Sequence, residues 1–156
     1  MLVNSTGDEP DATVGDNRCD TDGNPANGDQ CTLRAAIQET NFTAANAIDF
    51  NLPANSTILL NSALDGLTGM TMRGPGSGLL TIERNPAPGT PHFRIFTVTA
   101  PAAVLMTGLT VTNGRAPDGT VSPNGAPFRS DAGDVSITRQ PRGRNVYGEG
   151  FCTGTR

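Results

Sequence analysis

Eight short apolar runs, each three to six residues long and bounded by turn residues, constrain this chain more than any other feature. They fall at 48–52, 57–60, 70–72, 79–82, 94–99, 104–106, 109–112 and 135–138. Most alternate, as in Ile95-Phe96-Thr97-Val98, and so read as strands. Two stretches echo each other, MTMRGPGSGLLTIERN (70–85) and VLMTGLTVTNG (104–114), and GDVSITR (133–139) echoes them more weakly. Leu80, Leu109 and Val135 lie 29 and 26 residues apart, a period that marks stacked repeats. A unit of that size cannot bury its own apolar face, so its neighbours must. A β-sandwich would join regularly spaced strands by hairpins. Here each run passes to the next through a tight corner such as GPGSG or TG. The pattern predicts an all-β parallel β-helix of about three coils.

Composition limits the girth of that stack. In 156 residues there are 19 glycines, 12 prolines, no Trp and only 35% hydrophobic residues. One domain with a slim core of small branched side chains fits these values; a thick two-layer core does not. The same composition also suits disorder. Hydrophobic periodicity favours a folded body and leaves the tail to the disordered reading.

The body needs a lid, and Cys31–Asn41 (CTLRAAIQETN) supplies a candidate. Thr32 is placed to N-cap a helix through its hydroxyl. Leu33, Ala36, Ile37 and Thr40 recur at three- and four-residue steps, while Arg34, Gln38 and Glu39 point elsewhere. Asn41 is a plausible stop, because it tolerates the left-handed conformation. A helix this short is marginal alone, so it must cover the open end of the stack. Three segments are expected: an N-terminal cap at 1–47 with a strand at 2–6, coils at 48–115, and 116–156. This last segment reads as an irregular partial coil with a disordered or loosely packed tail, because Pro127 and Pro141 interrupt it. It offers no second lid, so the stack reads as truncated, and self-association of its exposed end is expected.

Cys19 and Cys31 bracket the loop DTDGNPANGDQ. A disulfide closing it would stabilise by roughly 2–3 kcal/mol and favours an oxidising compartment. A zinc site is a poorer reading, since His92 is the only histidine and no CxxC occurs. Cys152 is left over. Within the loop, Asp20, Asp22, Asn24 and Asp29 carry oxygens at calcium-like spacing. However, Pro25 occupies the place of the EF-hand glycine and Cys31 that of its bidentate glutamate. A solvated loop of turn formers is the plainer reading, with calcium the only cofactor left open.

VNSTGDEPD, then CDTDGN with CTLRAAIQETN, then AIDFNLP, resembles the N-terminal region of CSLREA-domain proteins. These are bacterial secreted or surface right-handed parallel β-helix proteins, with pectate-lyase-like and polymorphic-outer-membrane-type relatives. The core match is Cys31-Thr32-Leu33-Arg34-Ala35-Ala36-Ile37, where Ala35 replaces the family's Glu. MRGPGSGLLTI and VLMTGLTVTNG resemble the first coils, so the likeness spans roughly residues 2–115. It implies a right-handed stack that is secreted or displayed on a cell surface. The chain opens MLVNSTGDEP without a signal-peptide pattern, so export implies a targeting segment outside this sequence.

Catalytic chemistry finds little support. GPGSG (74–78) lacks the GK[ST] ending and a following helix, and the chain has no lysine, so a β-corner is expected instead of a phosphate loop. Between Phe50 and Thr138 the acids are Asp65, Glu83, Asp118, Asp131 and Asp134, with no pair repeated on adjacent coils. Arg73, Arg84 and Arg94 are poor proton abstractors, and His92, between Pro91 and Phe93, reads as a loop residue. Asp49 and Arg34 read as structural ties at the cap. The arginine-rich tail (Arg129, Arg139, Arg142, Arg144, Arg156) lacks an aromatic platform, so no nucleic-acid partner is expected. No run is long enough to span a membrane. The sequence therefore predicts a non-catalytic extracellular or cell-surface β-helix scaffold engaged in adhesion or in glycan or surface-protein contact. The alternative is the capping portion of a polysaccharide lyase or hydrolase whose active site lies on further coils.

Overall fold

The computed structural model describes residues 1–24, 26–43, 45–99 and 103–115, together with the backbone of strands at 128–130 and 135–138. In chain order the elements begin with β1 (Leu2–Val3), helix α1 (Leu33–Phe42), β2 (Ala47–Phe50), β3 (Ser56–Leu60) and β4 (Met70–Arg73). They continue with β5 (Leu80–Arg84), β6 (Phe96–Val98), β7 (Val104–Thr107), β8 (Thr110–Thr112), β9 (Phe128–Ser130) and β10 (Val135–Thr138). Every strand pairing is parallel. The main sheet runs β1-β2-β4-β7-β10, a second runs β3-β5-β8, and a third holds only β6 and β9.

Register explains the core. Successive side chains of a strand point to opposite faces, so aligned strands stack like with like. In the main sheet Ile48 lies beside Met72 and Met72 beside Met106, all buried. In the second sheet Ile58 lies beside Ile82, both fully buried, and Ile82 beside Val111. Leu67 joins Val98 by a single bridge, and Phe96 completes that side. Ile82 and Val98 are thus interior, and Thr112 faces out. Val111 is only partly covered, being on the outermost described strand of its sheet, and Glu83 is half-buried.

The expected right-handed parallel β-helix of about three coils is corrected here. Short parallel strands are present, but they form two main sheets and a two-stranded third, with one helix, and not a clear regular coil. The strands number five, three and two per sheet. The third side is the fragmentary one. Between β3 and β4 it contributes only the Leu67 bridge. Between β5 and β6 the chain carries Pro86, Pro88 and Pro91, whose missing N–H groups prevent continued pairing. The corner reading of GPGSG fits the structure: it leads into strand β5, and Gly76 N donates to Gly108 O at 3.0 Å. Backbones meet so closely here that a Cβ on Gly74 would lie 2.2 Å from Gly108 O. Of the segment 116–156, only the backbone of β9 and β10 is described. The expectations of loose packing and of a spare Cys152 otherwise fall outside the described residues.

Helix α1 begins as its sequence demands. Thr32 is the N-cap, and its Oγ1 accepts from Ala35 N at 3.1 Å. Leu33, Ala35, Ala36 and Ile37 are fully buried, and the helix lies against β1 and β2 at the start of the main sheet. Asn41 does not end it. The helix runs on to Phe42 and is closed by Thr43, whose N–H returns to Glu39 O. The Asn41 amide instead ties the helix to the loop after β3, donating to Gly66 O at 2.8 Å and accepting from Thr68 N and Oγ1.

Candidate functional site

Polar side chains gather at the cap and along the outward faces of the sheets. At the cap, Cys19 and Cys31 form the expected disulfide, with Cα atoms 4.9 Å apart. The bond pins the acidic loop beside the first turn of α1, where Cys31 also joins the residues that follow β1: its N–H donates to Asn4 Oδ1 and its O accepts from Asn4 N and Ser5 N.

Arg34 leaves the helix on the side facing that loop. Its Nε and Nη2 both donate to Asp8 Oδ1, at 3.0 and 2.7 Å, and its other donors reach Ala63 O and Ser62 O. Asp8 Oδ2 accepts from Asn61 N at 2.8 Å. One buried ion pair thereby joins loop, helix and the end of β3, and Arg34 is the structural tie expected of it.

Glu39 was expected to point away from the core, yet it is fully buried. Its two carboxylate oxygens accept from Gly15 N and Asn17 N of the cap loop. Charge-assisted hydrogen bonds from two backbone N–H groups offset the cost of burying the carboxylate. No spacing rule links residue 39 to residues 15 and 17, so the sequence alone gave no warning. Beside it, burial holds the Asp11 carboxyl above its ordinary range, with Glu39, Asp16 and Asp20 adding to that effect against the N–H of Thr13.

The calcium candidates make contacts within the loop itself. Asp20 Oδ1 accepts from Gln30 N at 3.1 Å, and Asn24 Oδ1 from Ala26 N at 3.1 Å. Asp22 accepts from Asn24 N at 2.8 Å and from Asn27 Nδ2 at 2.7 Å, contacts that hold its carboxyl below the usual range. Asp29 pairs with Arg18. Among the described residues, no group of three or more His, Cys, Asp and Glu side chains is placed to hold a metal. The four residues are turn formers in a closed loop.

Asp49 does not anchor the helix. It faces outward from β2 and meets Arg73 of β4 in a two-pronged pair, 2.7 Å from Nε and 2.8 Å from Nη2. That partner holds the Asp49 carboxyl below the ordinary range. Thr107 of β7 continues the same rank. On the second sheet Thr57, Thr81 and Thr110 form one outward rank, and Leu59, Glu83 and Thr112 the next.

The arginines at the later strands divide. Arg84 is buried at the end of β5 and grips carbonyls, donating to Asn113 O at 2.9 Å, Asn85 O at 3.1 Å and Thr90 O at 3.4 Å. Only the alternation breaking at a strand end hints at this. Arg115, exposed, brings Nη1 to 3.0 Å from His92 Nε2 on the neighbouring loop. Among the described residues no carboxylate joins this pair as it would in a triad.

The polar side chains of the described residues are thus carboxylates tied to backbone, one cross-strand ion pair between Asp49 and Arg73, and ranks of hydroxyls. No helix among the described residues is long and apolar enough to cross a membrane. Comparison of the chain with family models, with curated proteins and with solved structures finds no match.

Proposed function

We infer that this chain is a non-catalytic extracellular or cell-surface scaffold whose parallel strands offer a polar face to glycans or surface proteins. The observation that carries this reading is the registered outward face. Asp49, Arg73 and Thr107 stand in one rank, and Thr57, Thr81 and Thr110 in another. Ranks on adjacent strands repeat at about 4.8 Å. A repeating array of hydroxyls and charges suits a repeating polar polymer better than a compact small molecule, which needs a concave site. The Cys19–Cys31 bond supports an oxidising compartment. The resemblance of Cys31–Ile37 to the CSLREA cap motif points the same way. Self-association belongs to the reading too, because β3 pairs on one side only among the described residues, and unpaired strand edges invite a second chain.

Binding to immobilised neutral and acidic polysaccharides and to intact cell surfaces tests the proposal. Retention that weakens in the double variant Arg73→Ala, Thr107→Ala supports it. Release of new sugar ends from any of these polymers, or no retention on any surface, would overturn it.

A further inference from the structure

Asparagine precedes glycine three times in this chain, at 27–28, 113–114 and 124–125, and the last pair lies outside the described residues. Asparagine is thermolabile, most of all before glycine. The following backbone nitrogen can close a five-membered ring on the side-chain carbonyl carbon, and glycine has no Cβ to obstruct the closure. Folding then decides which pair reacts, because the nitrogen and the carbon must be able to turn toward each other.

The two described pairs are placed oppositely. Asn113 is half-buried, and Arg84 holds its amide at both ends: Nδ2 donates to Arg84 O at 2.8 Å, and Oδ1 accepts from Arg84 Nη2 at 3.4 Å. Gly114 behind it is buried. Asn27 and Gly28 are both exposed, in the loop that Cys19 and Cys31 close. A Cβ built on Gly28 would meet nothing within 4 Å, so the space around this residue is open. The Asn27 amide makes one contact, in which Nδ2 donates to Oδ2 of the exposed Asp22 at 2.7 Å. That contact engages the nitrogen that departs, not the carbon that is attacked.

We propose that Asn27–Gly28 is a self-modifying site, where the amide converts to aspartate and isoaspartate and thereby loosens the cap loop. The Gly28 nitrogen, its proton lost to a solvent base, attacks Asn27 Cγ. A Cγ–N bond forms, the Cγ–Nδ2 bond breaks, and ammonia leaves with a proton taken from water. Water then adds to either carbonyl of the cyclic imide and breaks its bond to the Gly28 nitrogen. Opening at Cγ gives aspartate. Opening at the main-chain carbonyl gives isoaspartate, whose backbone is longer by one methylene. In sum one water is consumed and one ammonia released, so the step is independent of whatever the scaffold binds.

Either product replaces a donor by an anion beside Asp22. The Asn27 hydrogen bond is the largest cause holding the Asp22 carboxyl below its usual range, and in its place two like charges would face each other. Asn24 N stays on Asp22, and the disulfide still confines the loop at its ends. The loosening is therefore local to the turn between Asp22 and Gly28.

Incubation of the full oxidised chain at mildly alkaline pH, followed by proteolytic mass mapping and an isoaspartate assay, tests the site. Asn27 should convert about tenfold or more faster than Asn113 in the folded chain. In urea, where sequence alone acts, the two rates should converge. Amide hydrogen exchange in the aged chain should quicken between Asp22 and Gly28 and stay unchanged in α1. Asn27→Asp should show that quickening without ageing, and Asn27→Gln, which cannot close the smaller ring, should not acquire it. Conversion at Asn113 as fast as at Asn27 in the folded chain overturns the proposal. So does a difference in rate that persists in urea, and so does an aged loop that exchanges no faster than a fresh one.

Discussion

Arg34 and Asp8 show how one pair of side chains decides whether three segments stay together. Both side chains are nearly buried, at 10% and 12% exposure. Removing the guanidinium strands a carboxylate in a site built for an ion pair. Arg34→Ala is therefore expected to cost about 3–5 kcal/mol, read from urea unfolding. Arg34→Lys recovers little, because an ammonium cannot serve Asp8, Ala63 O and Ser62 O at once. Asp11 works in the opposite sense. Its Oδ2 is buried with no hydrogen-bond partner among the described residues, and its pKa is raised in the folded chain. The folded state thus binds that proton more tightly than the unfolded state does. Its contribution is full below the unfolded value near 3.8 and is lost as pH rises through the raised one. Asp11→Asn keeps an oxygen for Thr13 N. It should raise the urea midpoint at neutral pH and leave it nearly unchanged in acid, as a titration of midpoints from about pH 3 to about pH 7 would reveal.

Helix α1 lies against β1 and β2 at the start of the main sheet, and Ile37 is among its fully buried apolar side chains. Ile37→Asp should destabilise by several kcal/mol, since the carboxylate would have no partner there, and an unchanged melting temperature would mean that the helix covers nothing. Elements of this kind were legible in the sequence. The run at 135–138 coincides with β10, and those at 57–60, 70–72 and 104–106 fall within one residue of β3, β4 and β7. Thr32, Leu33, Ala36 and Ile37 take the places their periodicity assigns. What alternation does not encode is how many strands each sheet receives. That depends on long connections, where Pro86, Pro88 and Pro91 leave one side with only short pairings. Nor does a local pattern disclose partners far off in sequence. Glu39 meets residues 15 and 17, and Asn41 closes onto residues 66 and 68 instead of ending its helix.

Over the whole molecule, the cap loop and the strands are held by different means, and the Cys19–Cys31 bond is the covalent one. Replacing both cysteines by serine should lower stability by roughly 2–3 kcal/mol, measured by denaturant unfolding of the oxidised parent beside the variant. The order of the main sheet has a further consequence for how the chain is made. After β2, each strand of that sheet pairs with one already synthesised: β4 with β2, β7 with β4, β10 with β7. Chains leave the ribosome N-terminus first, so every later strand emerges to find its seat occupied by a neighbour and its register set. Only β1 must wait, holding its place through the cysteine-tied loop and α1 until β2 arrives. An error in the cap would deprive every following strand of its template, whereas an error at β7 would leave the earlier rows to assemble as before.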